Sequence, residues 1–228
     1  MTKIKTFDGS VFDIADDRVE FAFTGIDGFA KRAFDYTTSL SLILFTLPLL
    51  LAIAVIIKLQ DGGPIMFSHK RCGQGGRLFP CLKFRTMRTN ADKALEELLA
   101  RDPAAREEWH RTRKLKNDPR ITPIGRFLRK SSLDELPQLF NILRGDMSLI
   151  GPRPVTTQEL DRYGALLAYY YAARPGITGM WQVNGRNRLT YEERVIYDAE
   201  YVRDWTFARD VKILVKTVPA VLSFDGAC

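Results

Sequence analysis

At 228 residues, the chain is long enough for one globular domain with a short appendage and too short for two full domains. Its 46% hydrophobic content allows a packed core and excludes wholesale disorder. The net charge of +7 is uneven, because residues 58–153 hold 20 Lys and Arg against 11 Asp and Glu. This basic region indicates an anionic partner, but charge alone does not choose among phosphate, nucleic acid and an anionic membrane.

The N-terminal segment, residues 1–29, is polar and receives no predicted role. It lacks the apolar core of a secretory signal, so we expect the polar body of the protein to face the cytoplasm. The three cysteines, at positions 72, 81 and 228, form no disulfide pattern. Free thiols agree with a reducing compartment.

Residues 40–59 are almost entirely apolar. Twenty helical residues reach about 30 Å, the hydrocarbon thickness of a bilayer, so we predict a membrane helix over residues 30–60 rather than a buried core helix. Pro48 lies near its middle and removes a backbone hydrogen bond, which predicts a break. Basic residues flank both ends, and this pattern favours a re-entrant helix over a span.

Residues 61–228 are predicted to form one cytosolic domain. Turn and strand signals over residues 61–87 predict a short β-hairpin. Residues 91–116 predict a charged helix that is interrupted at Pro103.

Two further helices are predicted closer to the C-terminus. One covers residues 157–173, and an amphipathic one covers residues 209–224. The amphipathic helix would either lie on the membrane surface or cover the core. The predicted fold class is α+β and mainly helical, with a re-entrant membrane helix, a helix-rich cytosolic body, a short β-hairpin and amphipathic interfacial helices.

Two adjacent carboxylates, Asp134 and Glu135, lie in the most highly charged part of the chain. Pro137 follows them, and proline is tolerated only in the first turn of a helix, so a helix should begin near this pair. Ser132 and Glu135 also fit a capping box. Considered alone, the two acids are explained by a capping role.

The cations around this pair change the interpretation. Arg126, Arg129 and Lys130 precede it, and Arg153 follows in a Gly-Pro-Arg-Pro turn that restricts its backbone. Such cations suit a diphosphate, and a carboxylate can attack phosphorus or hold Mg²⁺, so phosphoryl transfer is indicated and plain salt bridges are the alternative. The sequence contains no GxxxxGK[ST], GxGxxG, HExxH or GxSxG motif.

Six motifs follow one another in a characteristic order. They are KFRTM (Lys83–Met87), DELPQL (Asp134–Leu139), GDMSL (Gly145–Leu149), GPRP (Gly151–Pro154), RPGITG (Arg174–Gly179) and WQVNGRN (Trp181–Asn187). With these motifs, and with Asp198 ahead of Tyr201-Val202, the chain resembles the bacterial sugar transferase family over residues 30–228. These monotopic phosphoglycosyl transferases initiate exopolysaccharide, O-antigen and glycan assembly.

The resemblance implies a two-step, Mg²⁺-dependent transfer of hexose 1-phosphate from a UDP-sugar to undecaprenyl phosphate at the bacterial inner membrane. Galactose or glucose is favoured, because the likeness, including the Asp225–Cys228 ending, is greatest to the transferases of rhizobial-type exopolysaccharide. Some relatives have Ser-Pro at the helix break, where this chain has Leu47-Pro48.

The resemblance also implies roles for individual residues. Asp134 is the nucleophile that releases UMP, and Glu135 holds Mg²⁺ together with Asp134 or assists the second step. The further implied roles are phosphate binding by Lys83, Arg85, Arg129 and Arg153, support of the site by Asp198, and donor contacts by Arg186 and Asn187.

Two other functions compete with this hypothesis. A membrane-tethered protein could bind nucleic acid or anionic lipid through residues 111–130, and such binding would depend strongly on salt. A conventional glycosyltransferase would move the sugar alone and release a nucleoside diphosphate. We favour the phosphoglycosyl transferase and expect no nucleic-acid partner, and we leave the hexose, the polymer and a homodimer open.

Overall fold

The computed structural model describes residues 3–5, 11–13, 25–112 and 115–222. Helices dominate this part of the chain and two-stranded sheets accompany them, which confirms the predicted mainly helical α+β class. The helices are α1 (Gly25–Asp61), α2 (Ala91–Arg101), α3 (Pro103–Thr112), α4 (Pro123–Ser131), α5 (Gln138–Arg144), α6 (Leu167–Ala172), α7 (Met180–Asn184), α8 (Tyr191–Arg203) and α9 (Phe207–Leu222). The strands are β1 (Lys3–Lys5), β2 (Val11–Asp13), β3 (Met66–Cys72), β4 (Leu78–Phe84), β5 (Ser148–Ile150) and β6 (Gly176–Thr178).

The described residues divide into two compact units. Among the described residues, the first unit contains β1, β2, α1 up to Thr46, Ser68–Leu82 and residues 137–222. The second unit contains Leu47–Phe67 and Lys83–Leu136. The predicted segments 1–29, 30–60 and 61–228 are defined by membrane topology rather than by compactness, and they stay predictions.

The long apolar helix predicted over residues 30–60 is confirmed as α1, which begins earlier, at Gly25. By length and composition it could cross a membrane, and only 22% of its most apolar 18 residues are buried. Its large exposed side chains include Leu44, Phe45, Leu51, Val55 and Leu59. So much exposed apolar surface is unusual for a helix in water, and it supports membrane association.

Pro48 lies inside α1, and the helix continues on both sides of it. The Thr46 hydroxyl donates to the Leu42 carbonyl oxygen at 2.6 Å in the turn before the proline. Bonds of this kind help to satisfy backbone groups in apolar surroundings. The re-entrant course of α1 stays a prediction.

In the second unit, one stripe of α1 supplies the hydrophobic core. Leu50, Ile53 and Ile57 recur at helical spacing and are buried together with Phe84 at the end of β4 and Leu128 of α4. This contact orders the second half of α1 against the strand and the helix that carry several of the predicted site residues.

The segment after β4 runs beside the beginning of α4. Met87 pairs with Ile121 as an antiparallel bridge, and the Thr122 backbone N–H donates to the Thr86 carbonyl oxygen at 3.0 Å. A Cβ on Gly125, in the first turn of α4, would lie 2.0 Å from the same carbonyl oxygen. Only glycine, which has no side chain, fits at this position. The missing side chain lets α4 approach the backbone of Thr86.

In the first unit, two of the sequence motifs meet backbone to backbone. Strands β5 and β6 pair in parallel, with Ser148 opposite Gly176. A Cβ on Gly176 would lie 2.1 Å from the Gly151 backbone nitrogen. This close approach of the Gly-Pro-Arg-Pro and Arg-Pro-Gly segments fixes the loop that carries Arg153.

A buried ion pair holds the first part of α1 against α9 in this unit. Lys31 Nζ lies 2.6 Å from Asp210 Oδ2 and donates to the Ile150 carbonyl oxygen at 3.2 Å. The Tyr201 hydroxyl donates to the other carboxylate oxygen of Asp210 at 2.8 Å. Buried charges require such partners, so this end of α1 is tied to the polar body by specific contacts.

The predicted β-hairpin is confirmed as β3 and β4, and the predicted interruption at Pro103 is confirmed by the separate helices α2 and α3. The single helix predicted over residues 157–173 is wrong. Thr157–Leu166 is a 3-10 helix, and α6 follows it. Gly164 interrupts the stretch with a φ of 50° and a ψ of −128°, a conformation that glycine tolerates and an α-helix does not.

The amphipathic helix predicted over residues 209–224 is observed as α9, and residues 223–228 lie outside the described residues. Its buried face carries Asp210 and Ile213, so α9 covers the core of the first unit. A second face exposes Val211, Val215 and Val218. Contact of this second face with a membrane stays a prediction.

Candidate active site

Asp134 lies in a sharp reversal between α4 and α5. After α4, Ser132 adopts a left-handed conformation with a φ of 57°, and a 3-10 turn over Leu133–Glu135 follows. This course leaves Asp134 only 9% exposed. The predicted capping box is wrong, because Ser132 is used for the reversal and makes no side-chain capping bond.

The Glu135 carboxylate faces a lysine instead. Lys83 Nζ, near the end of β4, lies 2.5 Å from Glu135 Oε1, and each side chain is about 30% exposed. An ion pair at this exposure contributes little to stability, and its effect is mainly positional. It places one cation and one carboxylate beside Asp134.

Burial is the main influence on the Asp134 carboxyl and raises its pKa from 3.8 to about 6. The nearby charges of Lys83 and Arg129 oppose this rise, whereas the charge of Glu135 adds to it. Near neutral pH the carboxylate is therefore mostly ionised, poorly hydrated and more basic than an exposed aspartate. These are properties that suit a nucleophile.

Arg129 is the second cation of this group. Its guanidinium is half-buried, and its Nε donates to the Thr86 hydroxyl oxygen at 2.8 Å. Burial lowers the pKa of Arg129, and the charges of Asp134 and Asp118 counteract that change. The second unit thus brings together four of the predicted residues: Lys83, Arg129, Asp134 and Glu135.

Arg85, which the resemblance assigned to phosphate binding, is directed elsewhere. It is 8% exposed, and its Nη2 donates to the Asp61 carboxylate and to the Ile57 carbonyl oxygen at the end of α1. A Cβ on Gly63 would lie 2.1 Å from its Nη1. These contacts give Arg85 a role in holding the last turn of α1, and its contact with phosphate stays a prediction.

The carboxylates of this site are few. No group of three or more His, Cys, Asp and Glu side chains that could hold a metal ion occurs in the described ranges. The pair Asp134 and Glu135 still fits Mg²⁺, because proteins commonly bind this ion through one or two carboxylates with substrate phosphates and water as the other ligands.

The first unit contains a separate cluster of cations on an aromatic ring. The exposed Arg153 guanidinium lies 5.9 Å from the centre of the Trp181 ring, and that of Arg194 lies 4.8 Å from it. Arginine stacks readily on tryptophan in this way. The ring therefore gathers two positive charges in one place.

Asp198, also in the first unit, is 3% exposed, and its Oδ2 accepts a hydrogen bond from the Tyr163 hydroxyl at 2.9 Å. Burial raises its pKa to about 8, against the opposing effects of Tyr163 and Arg153. At neutral pH this carboxyl is therefore largely protonated.

Several buried polar atoms near this cluster have no hydrogen-bond partner within the described part of the chain. They are Trp181 Nε1, Tyr191 Oη, Arg194 Nε and Asp198 Oδ1. Buried polar atoms in folded proteins are usually satisfied, so a polar ligand or water is expected here.

The weaker donor-binding candidates are only partly described. Arg186 has a positive φ of 54°, and its Nε donates to the Gln182 carbonyl oxygen at 3.3 Å. The side chain of Asn187 lies outside the described residues. Their contacts with a donor stay predictions.

Thr86, Trp181 and Arg194 are individual residues of the candidate site that were not predicted. Thr86 and Trp181 lie within the KFRTM and WQVNGRN motifs, which indicate their positions but not their contacts. Arg194 lies four residues before Asp198, and this spacing places both on one face of a helix. That signal was available in the sequence.

Asp198→Asn should make the free energy of unfolding less dependent on pH. Because folding raises the Asp198 pKa from 3.8 to about 8, the native protein loses stability from this group as pH rises through that window. The variant should therefore gain stability relative to the native chain at about pH 8 and gain little at about pH 4. Urea unfolding in detergent across this range measures the difference, with exposed Asp161→Asn as the matched control. If the difference in the free energy of unfolding between Asp198→Asn and the native chain does not change with pH, the raised pKa of Asp198 is contradicted.

Comparison with known proteins places these residues in a family. Residues 26–224 match the bacterial sugar transferase family. The chain is 53% identical over 199 residues to an undecaprenyl-phosphate galactose phosphotransferase of Salmonella typhimurium, covering 87% of this chain and 42% of that protein. It is 51% identical to the exopolysaccharide production protein ExoY of Rhizobium meliloti, covering 89% of each chain.

A further relative, 41% identical over 205 residues, is a UDP-glucose:undecaprenyl-phosphate glucose-1-phosphate transferase of Caulobacter vibrioides, with 86% of this chain and 71% of that protein covered. The chain thus spans less than half the length of the Salmonella relative and most of the length of the Rhizobium one. The match covers nearly the whole described chain, so this protein belongs to the bacterial sugar transferase family.

Proposed function

We propose that this protein transfers hexose 1-phosphate from a UDP-sugar to undecaprenyl phosphate and so initiates exopolysaccharide synthesis. The observation that carries the proposal is the buried Asp134 carboxylate, which lies beside the cations Lys83 and Arg129. The relatives named as galactose and glucose phosphotransferases support this substrate class, with galactose or glucose as the hexose.

In the first step, an Asp134 carboxylate oxygen attacks the phosphorus that bears the sugar. An oxygen–phosphorus bond to Asp134 forms, and the bond from that phosphorus to the bridging oxygen breaks. The bridging oxygen leaves with UMP. Burial favours this attack, because a poorly hydrated carboxylate has less water to shed as the bond forms.

In the second step, a phosphate oxygen of undecaprenyl phosphate attacks the same phosphorus. The bond to Asp134 breaks, the carboxylate is regenerated, and the product is a diphosphate that links sugar and lipid. The positive charges of Arg129 and Lys83 stabilise the phosphoryl oxygens in both steps. Arg153 and Asp198 are assigned a phosphate contact and a supporting role by family resemblance.

Mg²⁺ is proposed as the cofactor. When bound, it would neutralise charge on the diphosphate, and Glu135 with Asp134 would supply its protein ligands. Glu135 already pairs with Lys83 at 2.5 Å. The lysine must therefore share this carboxylate, or turn toward the donor phosphate, when the metal binds.

Asp134→Asn should abolish nucleoside monophosphate release, because the amide keeps the size of the side chain but is not a nucleophile. Intact-mass measurement after mixing with a UDP-sugar should show a phosphosugar adduct on the native chain and none on the variant. Asp92→Asn, at an exposed position of α2, is the matched control.

An adduct that persists in Asp134→Asn would exclude Asp134 as the nucleophile. Release of UDP in place of UMP would indicate a conventional glycosyltransferase. Salt-sensitive binding of nucleic acid or anionic lipid, with no loss in the variant, would favour the tethered binding protein.

Chelation of divalent cations should stop turnover, and Glu135→Gln should weaken the Mg²⁺ dependence or the rate. The physical reason is that the amide keeps the shape of the side chain but loses the negative charge that Mg²⁺ prefers. Titration of activity with Mg²⁺ for both proteins provides the measurement. Full activity in excess chelator would exclude the metal.

The contacts of α1 support a re-entrant course in the cytoplasmic leaflet of the inner membrane. Near its start, Lys31 is buried against Asp210, and at its last turn Asp61 pairs with Arg85. A straight span would carry one of these polar ends across the bilayer. Re-entry keeps both on the side where a water-soluble donor and the acceptor phosphate can meet.

A single cysteine in place of Lys3, in a variant without Cys72, Cys81 and Cys228, tests this topology. An impermeant thiol reagent should leave it unlabelled in intact cells and label it after permeabilisation. Pro48→Ala restores a backbone hydrogen bond and should favour a straighter helix, with more labelling from outside. Labelling in intact cells of the single-cysteine protein that keeps Pro48 would refute the re-entrant course.

A further inference from the structure

The Arg129 guanidinium is held from one side only. Its Nε donates to the Thr86 hydroxyl oxygen at 2.8 Å, and no other described residue forms a hydrogen bond with it. A bond at Nε fixes the plane of the guanidinium and leaves its terminal N–H groups for another acceptor. Those groups form the fork that matches a phosphate.

Thr86 is itself fixed in place. Its carbonyl oxygen accepts from the Thr122 backbone N–H at 3.0 Å and from the Thr122 hydroxyl at 3.3 Å. Gly125 packs directly on its backbone, and Thr86 is 7% exposed. The hydroxyl that meets Arg129 is therefore presented by a backbone with little freedom.

The same face of α4 touches Thr86 and carries Arg129. Gly125 and Arg129 are four residues apart, which places them one above the other on a helix. The left-handed Ser132 then turns the chain back, so that the charge of Arg129 acts on the Asp134 carboxyl and opposes part of the rise in its pKa. A cation aimed by Thr86 thus lies beside the attacking group.

We propose that Thr86 is a positioning residue, whose hydroxyl orients the Arg129 guanidinium toward the phosphate that Asp134 attacks. This inference rests on the proposed function, because it requires a phosphate at Asp134. It adds a residue to which neither the sequence motifs nor the family resemblance gave a role.

The test compares Thr86→Val, which removes the hydroxyl and keeps the branched shape, with Thr86→Ser, which keeps the hydroxyl. Each full-length variant is purified in detergent, and initial rates of UMP release are measured with UDP-galactose and UDP-glucose. Thr86→Val should lower kcat about tenfold to a hundredfold, the cost of a misaligned catalytic group, with a smaller change in KM. Thr86→Ser should recover most of the rate.

A double-mutant cycle separates positioning from a general loss of packing. Arg129→Lys cannot make the Nε bond, so adding Thr86→Val to it should cause no further loss of kcat if Thr86 acts through Arg129. Ser131→Ala is the matched control. It removes a hydroxyl of α4 that bonds only within that helix, and it should leave the rate unchanged. Thr86→Ala is a second variant without the hydroxyl, for use if Thr86→Val does not fold.

Three results would overturn the proposal. They are a native rate in Thr86→Val, equal losses in the Val and Ser variants, and independent losses that multiply in the double variant. Failure of the proposed function itself would look different. The native chain would then release no UMP, or Asp134→Asn would retain full activity, whatever the residue at position 86.

Discussion

Removing the Asp134 carboxylate from water is a cost that the surrounding structure must offset. An ionised group at 9% exposure loses most of its hydration, and the nearest compensation comes from Lys83 and Arg129. Their charges do not fully cancel the effect of burial, so the pKa of Asp134 stays near 6. The site is therefore poised between a neutral acid and a charged base, and this balance requires both cations to be held at fixed positions.

The segment from Lys83 to Thr86 meets that requirement with side chains that have different partners. Lys83 pairs with Glu135, Arg85 with the last turn of α1, and Thr86 with Arg129. Three of these four consecutive residues thus hold the end of α1 and the cations of the candidate site. A shift of α1 at this end would be transmitted directly to the charges around Asp134 within the second unit.

Strong local patterns made much of this architecture predictable. The apolar run predicted α1, and the adjacent acids among arginines indicated a group of Asp134, Glu135 and Arg129, which the second unit brings together. The predicted capping box at Ser132 was wrong. A serine can cap a helix, but it can also adopt the left-handed conformation that reverses the direction of the chain. Only the packing of α4 decides between these two roles. The sequence could not tell whether Arg85 or Thr86 contacts the group around Asp134. Neighbouring side chains at the end of a strand point in opposite directions, and which one faces the site depends on the residues that pack around them.

In the first unit, a buried aspartate, Asp198, lies in a cluster with arginines that stack on Trp181. An ionised Asp198 would neutralise part of the positive charge gathered on Trp181 by Arg153 and Arg194. With a pKa of about 8, Asp198 is instead mostly uncharged at neutral pH and acts as a polar, hydrogen-bonding group. The arginines then keep their positive charge without a neighbouring carboxylate to offset it, while the carboxyl of Asp134, with a pKa of about 6, is mostly ionised, as the proposed attack on phosphorus requires. Burial to different depths thus gives two aspartates of one chain opposite protonation states, each suited to its own unit.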